Sequence, residues 1–179
     1  MLILNVDEEI FLTDLKVESA QKVFDLVISN KNFLRQWLSW VDETRNIDDT
    51  ILYIQTISDN DIFSERFVFE INYKNELAGL IDFNHGDRGN SKVEIGYWLA
   101  EKFQGKGIMR RSCQALIKYA FQKESINRIT IKCAAGNKKS QAIPLRLNFK
   151  LEGIERESQN IYGVFHDVMI FSLLKKEWK

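Results

Sequence analysis

The order of helical and extended patterns along the 179 residues predicts an α+β fold. Apolar residues recur at three- and four-residue steps in the N-terminal part and again after residue 107, as they do in amphipathic helices. Runs rich in β-branched and aromatic residues lie between and after these helices. The predicted order is β, three helices, β-β-β, α, β, α, β-β.

The N-terminal part of the chain is predicted to contain one short strand and three helices. Residues 10–12 are apolar and favour a strand. Helical spacing of apolar residues predicts helices over 17–28, 33–41 and 47–57. The third of these helices has two aspartates in its first turn, where negative charge stabilises a helix.

The middle of the chain changes to strand patterns. Residues 66–72 and 77–84 are predicted strands, and the turn-forming residues at 73–76 between them indicate a hairpin. Residues 85–91 contain two glycines and two asparagine or serine residues in a row, which favours a turn or loop. Residues 93–99 alternate as a further strand.

The C-terminal part alternates helices and strands. A helix is predicted after residue 107, followed by a strand over 128–134 and a short helix over 137–147. Residues 149–152 and 164–174 are the last two predicted strands. One proline in the whole chain leaves no Pro-rich linker, so residues 1–179 are predicted to form a single domain.

Composition argues against several classes of protein. Lys plus Arg and Asp plus Glu both number 25, and this zero net charge gives no global field that attracts nucleic acid or an anionic membrane. Cys113 and Cys133 match no disulfide framework or zinc spacing, and His85 and His166 stand far apart, so we expect no metal. The N-terminus lacks the basic start and long apolar run of a signal peptide, so a cytoplasmic location is expected.

The sharpest local feature is the segment 98–111, in which a strand ends, a loop with Gly105 and Gly107 follows, and a helix begins. The first N–H groups of a helix have no internal partner and suit an anion, above all a phosphate. Lys106, Arg110 and Arg111 add positive charge. The segment has neither a Walker A nor a Rossmann glycine pattern, so from spacing alone an ordinary strand-to-helix connection stays equally open.

The residues of this loop resemble a known family. Gln104 to Met109 is similar to the pyrophosphate-binding motif Gln/Arg-x-x-Gly-x-Gly/Ala of the GNAT N-acetyltransferases, with Gln104 and Gly107 at fixed positions. Met109 departs from the small residue that usually ends the motif. A large residue there is familiar from the branch that resembles ribosomal-protein N-acetyltransferases (RimJ/RimL-like).

Other segments resemble the same branch, in the same order along nearly the whole chain. They are the Trp-rich 35–40, the strand 94–99, and the C-terminal 137–140 and 149–153. The resemblance implies the GNAT fold, with a central, mixed, mostly antiparallel sheet of about seven strands that splay apart between the fourth and fifth, and flanking helices. It also implies acetyl-CoA as the donor, CoA as the product and no metal.

The resemblance further implies which residues bind acetyl-CoA. Main-chain groups at the end of the strand would bond the pantetheine arm, the loop and helix start would bind the pyrophosphate, and an asparagine would bond a pantetheine amide. This asparagine, Asn137, is equally well explained as a helix N-cap. The implied cofactor-binding residues are Tyr97, Trp98, Leu99, Phe103, Gln104, Gly105, Lys106, Gly107, Ile108, Met109, Arg110 and Asn137.

Two catalytic residues are carried over in the same way. Glu94 would act as the general base, and its alternative is a solvated charge on a strand. Many GNATs use a tyrosine as the acid where this chain has Pro144, so Ser140 takes that role by resemblance to RimL-like members. The alternative for Ser140 is a hydroxyl in the first turn of a helix. Some RimL-like enzymes have a second carboxylate where this chain has Gln159, with Glu157 nearby.

The acceptor site should lie opposite the CoA arm, between the N-terminal helices and the last hairpin. Its candidate residues, each of which could instead serve packing or turn formation, are Trp37, Trp40, Asp82, Asn84 and Tyr162. The resemblance suggests a primary amine, in particular a protein N-terminus of the ribosomal-protein serine or alanine type.

Other readings of the sequence stay open. A small amine such as a polyamine is an alternative acceptor. A non-catalytic, CoA-binding regulatory module and an interaction protein without a cofactor are alternatives from other classes. The oligomeric state is open, with a homodimer as one candidate.

Overall fold

A computed structural model gives the fold and describes residues 2–57, 61–64 and 66–178. Its strands are β1 (Ile3–Asn5), β2 (Ile10–Asp14), β3 (Arg66–Tyr73), β4 (Glu76–Asp87), β5 (Lys92–Leu99), β6 (Arg128–Ala134), β7 (Lys150–Ile161) and β8 (Val164–Leu174). Its α-helices are α1 (Ala20–Ser29), α2 (Lys31–Leu34), α3 (Ile47–Thr56), α4 (Ile108–Lys123) and α5 (Lys138–Arg146). Short 3₁₀ turns span Val17–Ser19, Ser39–Asp42, Glu101–Phe103 and Lys175–Glu177.

The described strands form one sheet in the order β1-β2-β3-β4-β5-β6-β8-β7. Neighbours are antiparallel except β5 and β6, which run parallel and are joined by the crossover helix α4. The α+β class and the mixed, mostly antiparallel sheet are therefore confirmed. Within the described residues the sheet has eight strands rather than about seven, because the short β1 pairs with β2 at one edge. The sequence did not predict β1.

The two parallel strands part soon after they begin. Their register contains three pairs, from Lys92 opposite Arg128 to Glu94 opposite Thr130. Strand β5 continues to Leu99 and stays paired with β4 along its other edge. This opening is the predicted splay between the fourth and fifth strands, which are β5 and β6 once β1 is counted.

The two faces of the sheet pack against different helices. Val93 and Ile95 belong to the larger apolar cluster, which includes the inner face of α4. Trp98 packs against the second cluster, built from α1, α3 and the segments around α2. The predicted alternation along β5 is therefore confirmed, and the face with Trp98 looks toward the N-terminal helices.

The helix predicted over 33–41 is wrong. Helix α2 ends at Leu34, Leu38 is extended (φ −121°, ψ 108°), and a 3₁₀ turn follows at Ser39–Asp42. The Tyr162 hydroxyl donates to the Leu38 carbonyl at 3.1 Å, so a residue far away in the sequence bonds a main-chain carbonyl of this segment. Local apolar spacing does not record such a contact.

Two strands also extend beyond their predicted ends. Strand β4 continues through His85 to Asp87, inside the predicted loop over 85–91, and its register with β5 shifts after Asn84. Strand β7 continues to Ile161 rather than ending at residue 152. It is an edge strand with much of its surface exposed, so it lacks the apolar alternation that marks a strand in a sequence.

A close approach between β4 and β5 provides a test of the fold. A Cβ placed on Gly79 would lie 2.2 Å from the Trp98 carbonyl oxygen and 2.8 Å from Leu99 Cα, and both are main-chain atoms with little room to move. We expect Gly79→Ala to lower the free energy of unfolding by about 2–3 kcal/mol because the strands must shift. Urea denaturation measures this change.

Gly153→Ala is the matched control. Gly153 also lies in a strand, but a Cβ there meets no atom within 4 Å. Equal stability of the two variants would contradict the close approach.

Candidate active site

The loop between β5 and α4 has the backbone that its glycines permit. Gly105 and Gly107 have φ of 75° and 71°, in the left-handed region that other residues enter only with strain. The Gln104 side chain donates from Nε2 to the Leu99 carbonyl at 3.0 Å, which ties the loop to the end of β5. A Cβ at Gly105 or Gly107 would meet no protein atom within 4 Å, so the backbone of both glycines faces open space.

Helix α4 begins at this loop without a side-chain cap. Its N-cap is Gly107, whereas the N-caps of α3 and α5 are Asn46 and Asn137, whose side chains accept main-chain N–H groups. The first-turn N–H groups of α4 therefore lack both an intrahelical and a side-chain partner. Together with the helix dipole, they are suited to bind the oxygens of a phosphate.

The predicted cations of the loop differ in their surroundings. Arg111 Nη1 pairs with Asp7 Oδ2 at 2.8 Å and Glu9 Oε2 at 3.1 Å, so its charge is compensated. Lys106 and Arg110 are exposed on the loop and the first turn of α4. The Phe103 side chain is buried in the core, so any contact it makes with a ligand would come from its main chain.

A cleft of about 380 Å³ runs from this loop along the end of β5, and we call it the donor cleft. It brings together seven residues that were predicted from the sequence to bind cofactor or to act in catalysis. They are Tyr97, Trp98, Leu99, Gln104, Met109, Asn137 and Ser140. Trp37, predicted for the acceptor, lines the donor cleft instead.

Two hydroxyl groups meet inside the donor cleft. Ser140 Oγ donates to Tyr97 Oη at 3.3 Å, and Tyr97 Oη donates to the Ser140 carbonyl at 3.0 Å. Asn137 accepts the Ser140 N–H at 3.1 Å, which confirms its N-cap role and holds the first turn of α5 in place. Burial raises the pKa of Tyr97 well above its usual range, so its phenol is neutral at physiological pH.

The phenol of Tyr97 was missed from the sequence. The motif assigned only the main chain of Tyr97 to a function, and no local pattern places its side chain beside a serine 43 positions away.

A second cavity of about 630 Å³ lies on the face of the N-terminal helices, and we call it the acceptor cavity. It shares Leu38, Tyr97 and Trp98 with the donor cleft, so the two spaces meet at the end of β5. Three predicted acceptor residues line it, namely Trp40, Asp82 and Asn84. Tyr162 does not line it; its ring packs under the Arg35 guanidinium at 4.4 Å.

Residues from β3 and α3 complete the acceptor cavity. Arg66 Nε lies 3.2 Å from Asp82 Oδ2, and Tyr53 lines the same wall. Burial raises the pKa of the Tyr53 phenol, and the charge of Asp82 adds to that shift. Both residues were missed, because neither belongs to a motif and only the sheet brings them to Asp82.

The predicted base, Glu94, lies at the point where β5 and β6 begin to part. It stands opposite Asn84 on β4 and opposite Thr130 on β6, at the last pair before the strands part. Burial raises the pKa of its carboxyl above the usual range, and the charges of Lys132 and His85 oppose this shift. Glu94 lines neither cavity wall, but its neighbour Asn84 lines the acceptor cavity.

The match to a known family agrees with this geometry. Residues 9–150 match the acetyltransferase (GNAT) domain family. The chain therefore belongs to the GNAT acetyltransferases, and it is an N-acetyltransferase that uses acetyl-CoA.

Individual relatives resemble the chain over nearly its whole length. It is 36% identical to YdaF of Bacillus subtilis (strain 168), which is named as a candidate ribosomal N-acetyltransferase. The match covers 100% of this chain and 98% of YdaF. The structure of RimL, a ribosomal L7/L12 alpha-N-protein acetyltransferase with coenzyme A, superposes with a TM-score of 0.93 at 31% identity, covering 98% of this chain and 99% of RimL. The microcin C7 self-immunity acetyltransferase MccE, with acetyl-CoA and AMP, superposes with a TM-score of 0.89 at 33% identity, covering 94% of each chain.

The residues present fit acetyl-CoA. Main-chain N–H groups without partners at the start of α4 suit the pyrophosphate, and the two glycines leave it room. The donor cleft then leads along the open edge of β5 to Trp98, where the acceptor cavity begins.

Within residues 2–57, 61–64 and 66–178, no group of three or more His, Cys, Asp and Glu side chains could hold a metal ion. Across the same described part of the chain, no helix is long and apolar enough to cross a membrane.

The glycine at the start of α4 provides a direct test of the cofactor loop. Gly107→Val adds a branched side chain where the phosphates are expected to approach and strains a backbone with φ of 71°. We expect the dissociation constant for CoA to rise at least about 100-fold, measured by isothermal titration calorimetry.

Gly163→Val is the matched control for backbone strain. Gly163 has φ of 87° in the turn between β7 and β8, lines neither cavity, and a Cβ there also meets no atom within 4 Å. Retained CoA affinity in folded Gly107→Val, or equal losses in both variants, would count against the loop as the phosphate site.

Proposed function

We propose that this N-acetyltransferase moves the acetyl group of acetyl-CoA to a protein N-terminal amine in the cytoplasm, and that its acceptor is a ribosomal protein. One observation carries the proposal: the donor cleft and the acceptor cavity meet at Tyr97 and Trp98. The similarity to RimL, which acts on L7/L12, supports the choice of acceptor.

The donor side is built from main-chain groups. Acetyl-CoA, when bound, supplies the acetyl group as a thioester that an amine can attack. Strand β5 beyond Glu94 has no β6 partner in the described register, so the main-chain groups on this edge between Tyr97 and Leu99 can bond an extended ligand as an added strand. The Leu99 carbonyl is the exception, because it accepts from Gln104 Nε2. An N–H of Trp98 or Leu99 would stabilise the charge that develops on the thioester oxygen.

Glu94 is proposed to take the proton of the amine through a water molecule. Burial raises the pKa of the Glu94 carboxyl toward physiological pH, and a general base is most effective when its pKa lies near the working pH. The cross-strand position opposite Asn84 places it beside the wall of the acceptor cavity.

Ser140 and Tyr97 together are proposed to protonate the departing sulfur. Tyr97 would give its phenol proton to the thiolate of departing CoA, and Ser140 Oγ, which donates to Tyr97 Oη at 3.3 Å inside the donor cleft, would stabilise the phenolate that remains. Solvent would then return the proton to Tyr97. Tyr97, whose phenol is neutral at physiological pH, would take the role of the tyrosine that many relatives have where this chain has Pro144.

A small primary amine is the second candidate acceptor. The acceptor cavity is within the size range of pockets that enclose whole small molecules. MccE, a self-immunity acetyltransferase, has a TM-score of 0.89 at 33% identity, against 0.93 at 31% for RimL. A peptide N-terminus also fits, because its first residues can enter the cavity while the rest of the chain stays outside.

The test incubates the wild-type protein and acetyl-CoA with peptides that begin with serine, alanine or other residues and with small amines, and measures thiol release and acceptor mass. We expect the fastest transfer to a peptide α-amine. Transfer to small amines alone would replace the peptide acceptor, and CoA binding without any transfer would indicate a non-catalytic module.

The proposed base makes a prediction about pH. The active form of Glu94 is the carboxylate, and its pKa is raised, so kcat/KM should fall as pH decreases through that pKa. Glu94→Gln should lower kcat by about 10²–10⁴-fold and remove this acidic limb of the profile. Steady-state thiol release across pH measures both effects.

Glu155→Gln is the control: Glu155 lies outside both cavities, and its charge raises the pKa of Glu94, so this variant should keep kcat and the acidic limb, with the limb moved to lower pH. An unchanged pH profile in Glu94→Gln would remove Glu94 as the base.

A further inference from the structure

Four residues on β4 and β5 form two adjacent cross-strand pairs on the face of the acceptor cavity. Asp82 stands opposite Gly96, and Asn84 stands opposite Glu94. Alternate residues of a strand share a face, so all four belong to one surface. This surface lies where β5 leaves β6, next to the junction of the two cavities.

The absence of a side chain at Gly96 makes room for the polar pair. A Cβ there would lie 2.4 Å from Asp82 Oδ1 and 2.9 Å from Asn84 Nδ2. The main-chain N–H of Gly96 instead donates to Asp82 Oδ1 at 3.0 Å. Asp82 and Asn84 are 9% and 6% exposed, so both are largely buried in the wall of the acceptor cavity.

The hydrogen bonds fix which way the Asn84 amide points. Asn84 Nδ2 donates to Asp82 Oδ1 at 3.0 Å, the Gly96 N–H donates to the same oxygen, and Arg66 Nε lies 3.2 Å from Oδ2, so both carboxyl oxygens face donors. The amide oxygen therefore points away from Asp82. No described residue donates a hydrogen bond to this buried Asn84 Oδ1.

Burying a hydrogen-bond acceptor such as Asn84 Oδ1 without a hydrogen-bond donor is unfavourable, and an N–H group of a ligand would satisfy it. We propose that Asn84 Oδ1 binds an N–H of the acceptor's primary amine, with Asp82 as the positioning residue that holds the amide in this orientation. The inference rests on the proposed function and assigns the part of the substrate that these residues recognise.

The surroundings of Asn84 suit an amine that is about to react. Arg66 compensates the charge of Asp82, so the Asn84 amide offers an uncharged hydrogen-bond acceptor beside a paired carboxyl group. Glu94, the proposed base, is the cross-strand partner of Asn84. An amine bound at Asn84 is therefore next to the group that takes its proton.

A purely structural role for the pair makes a different prediction. If Asp82 and Asn84 only hold β4 against β5, their replacement should weaken binding of every acceptor-site ligand equally. If Asn84 binds the amine, only ligands with that amine should weaken.

The experiment compares one acceptor found in the transfer assay with its desamino analogue, in which hydrogen replaces the amine. Isothermal titration measures both dissociation constants with saturating CoA in place of acetyl-CoA, so no transfer occurs. We expect the wild type to prefer the amine at least about fivefold, and Asn84→Leu, which has a similar shape, to reduce this preference to within about twofold.

Asp82→Asn should reduce the preference in the same direction, because an amide at position 82 no longer fixes the orientation of Asn84. Asp48→Asn is the control: it removes an exposed carboxylate of α3 outside the acceptor cavity and should keep the full preference. Thermal melting establishes that each variant is folded.

The outcomes separate the inference from the proposed function. A wild type that transfers acetyl to an amine, with an Asn84→Leu variant that keeps the preference, overturns the inference alone. Equal weakening of both ligands in folded Asn84→Leu also overturns it. A wild type that binds and acetylates no primary amine overturns the inference and the proposed function together.

Discussion

The parting of β5 from β6 is the constraint on which the rest of the site depends. A parallel pair that continued to Leu99 would use both edges of β5 for the sheet and leave no main-chain groups for a ligand. The register instead ends at Glu94 and Thr130, while β4 still holds the other edge of β5. Helix α4, which connects the two strands, then begins at the mouth of the opening with its first N–H groups available.

The same opening explains why two cavities meet. Alternation along β5 sends neighbouring side chains to opposite faces, so Tyr97 and Trp98 border different layers of the protein. The donor cleft follows the strand end and the start of α5, while the acceptor cavity lies under the N-terminal helices. A thioester and an amine can therefore approach the same point from two sides.

The sequence predicted well what local spacing determines. The alternation of β5, the glycine loop and the start of α4 follow from short-range patterns, and the resemblance supplied the mixed, mostly antiparallel sheet and its splay. The interrupted helix at Leu38 and the Arg66–Asp82 pair depend on contacts between distant segments, which periodicity does not report. The sequence named Asp82 and Asn84 as acceptor candidates. The direction of the Asn84 amide depends on side-chain contacts that the sequence does not report, so it required the structure.

Amide hydrogen exchange with and without CoA tests the central claim most directly. If the open edge of β5 and the start of α4 hold the donor, the amides of residues 97–99 and 107–110 should exchange more slowly when CoA is bound. Slower exchange elsewhere, with these two segments unchanged, would contradict the account.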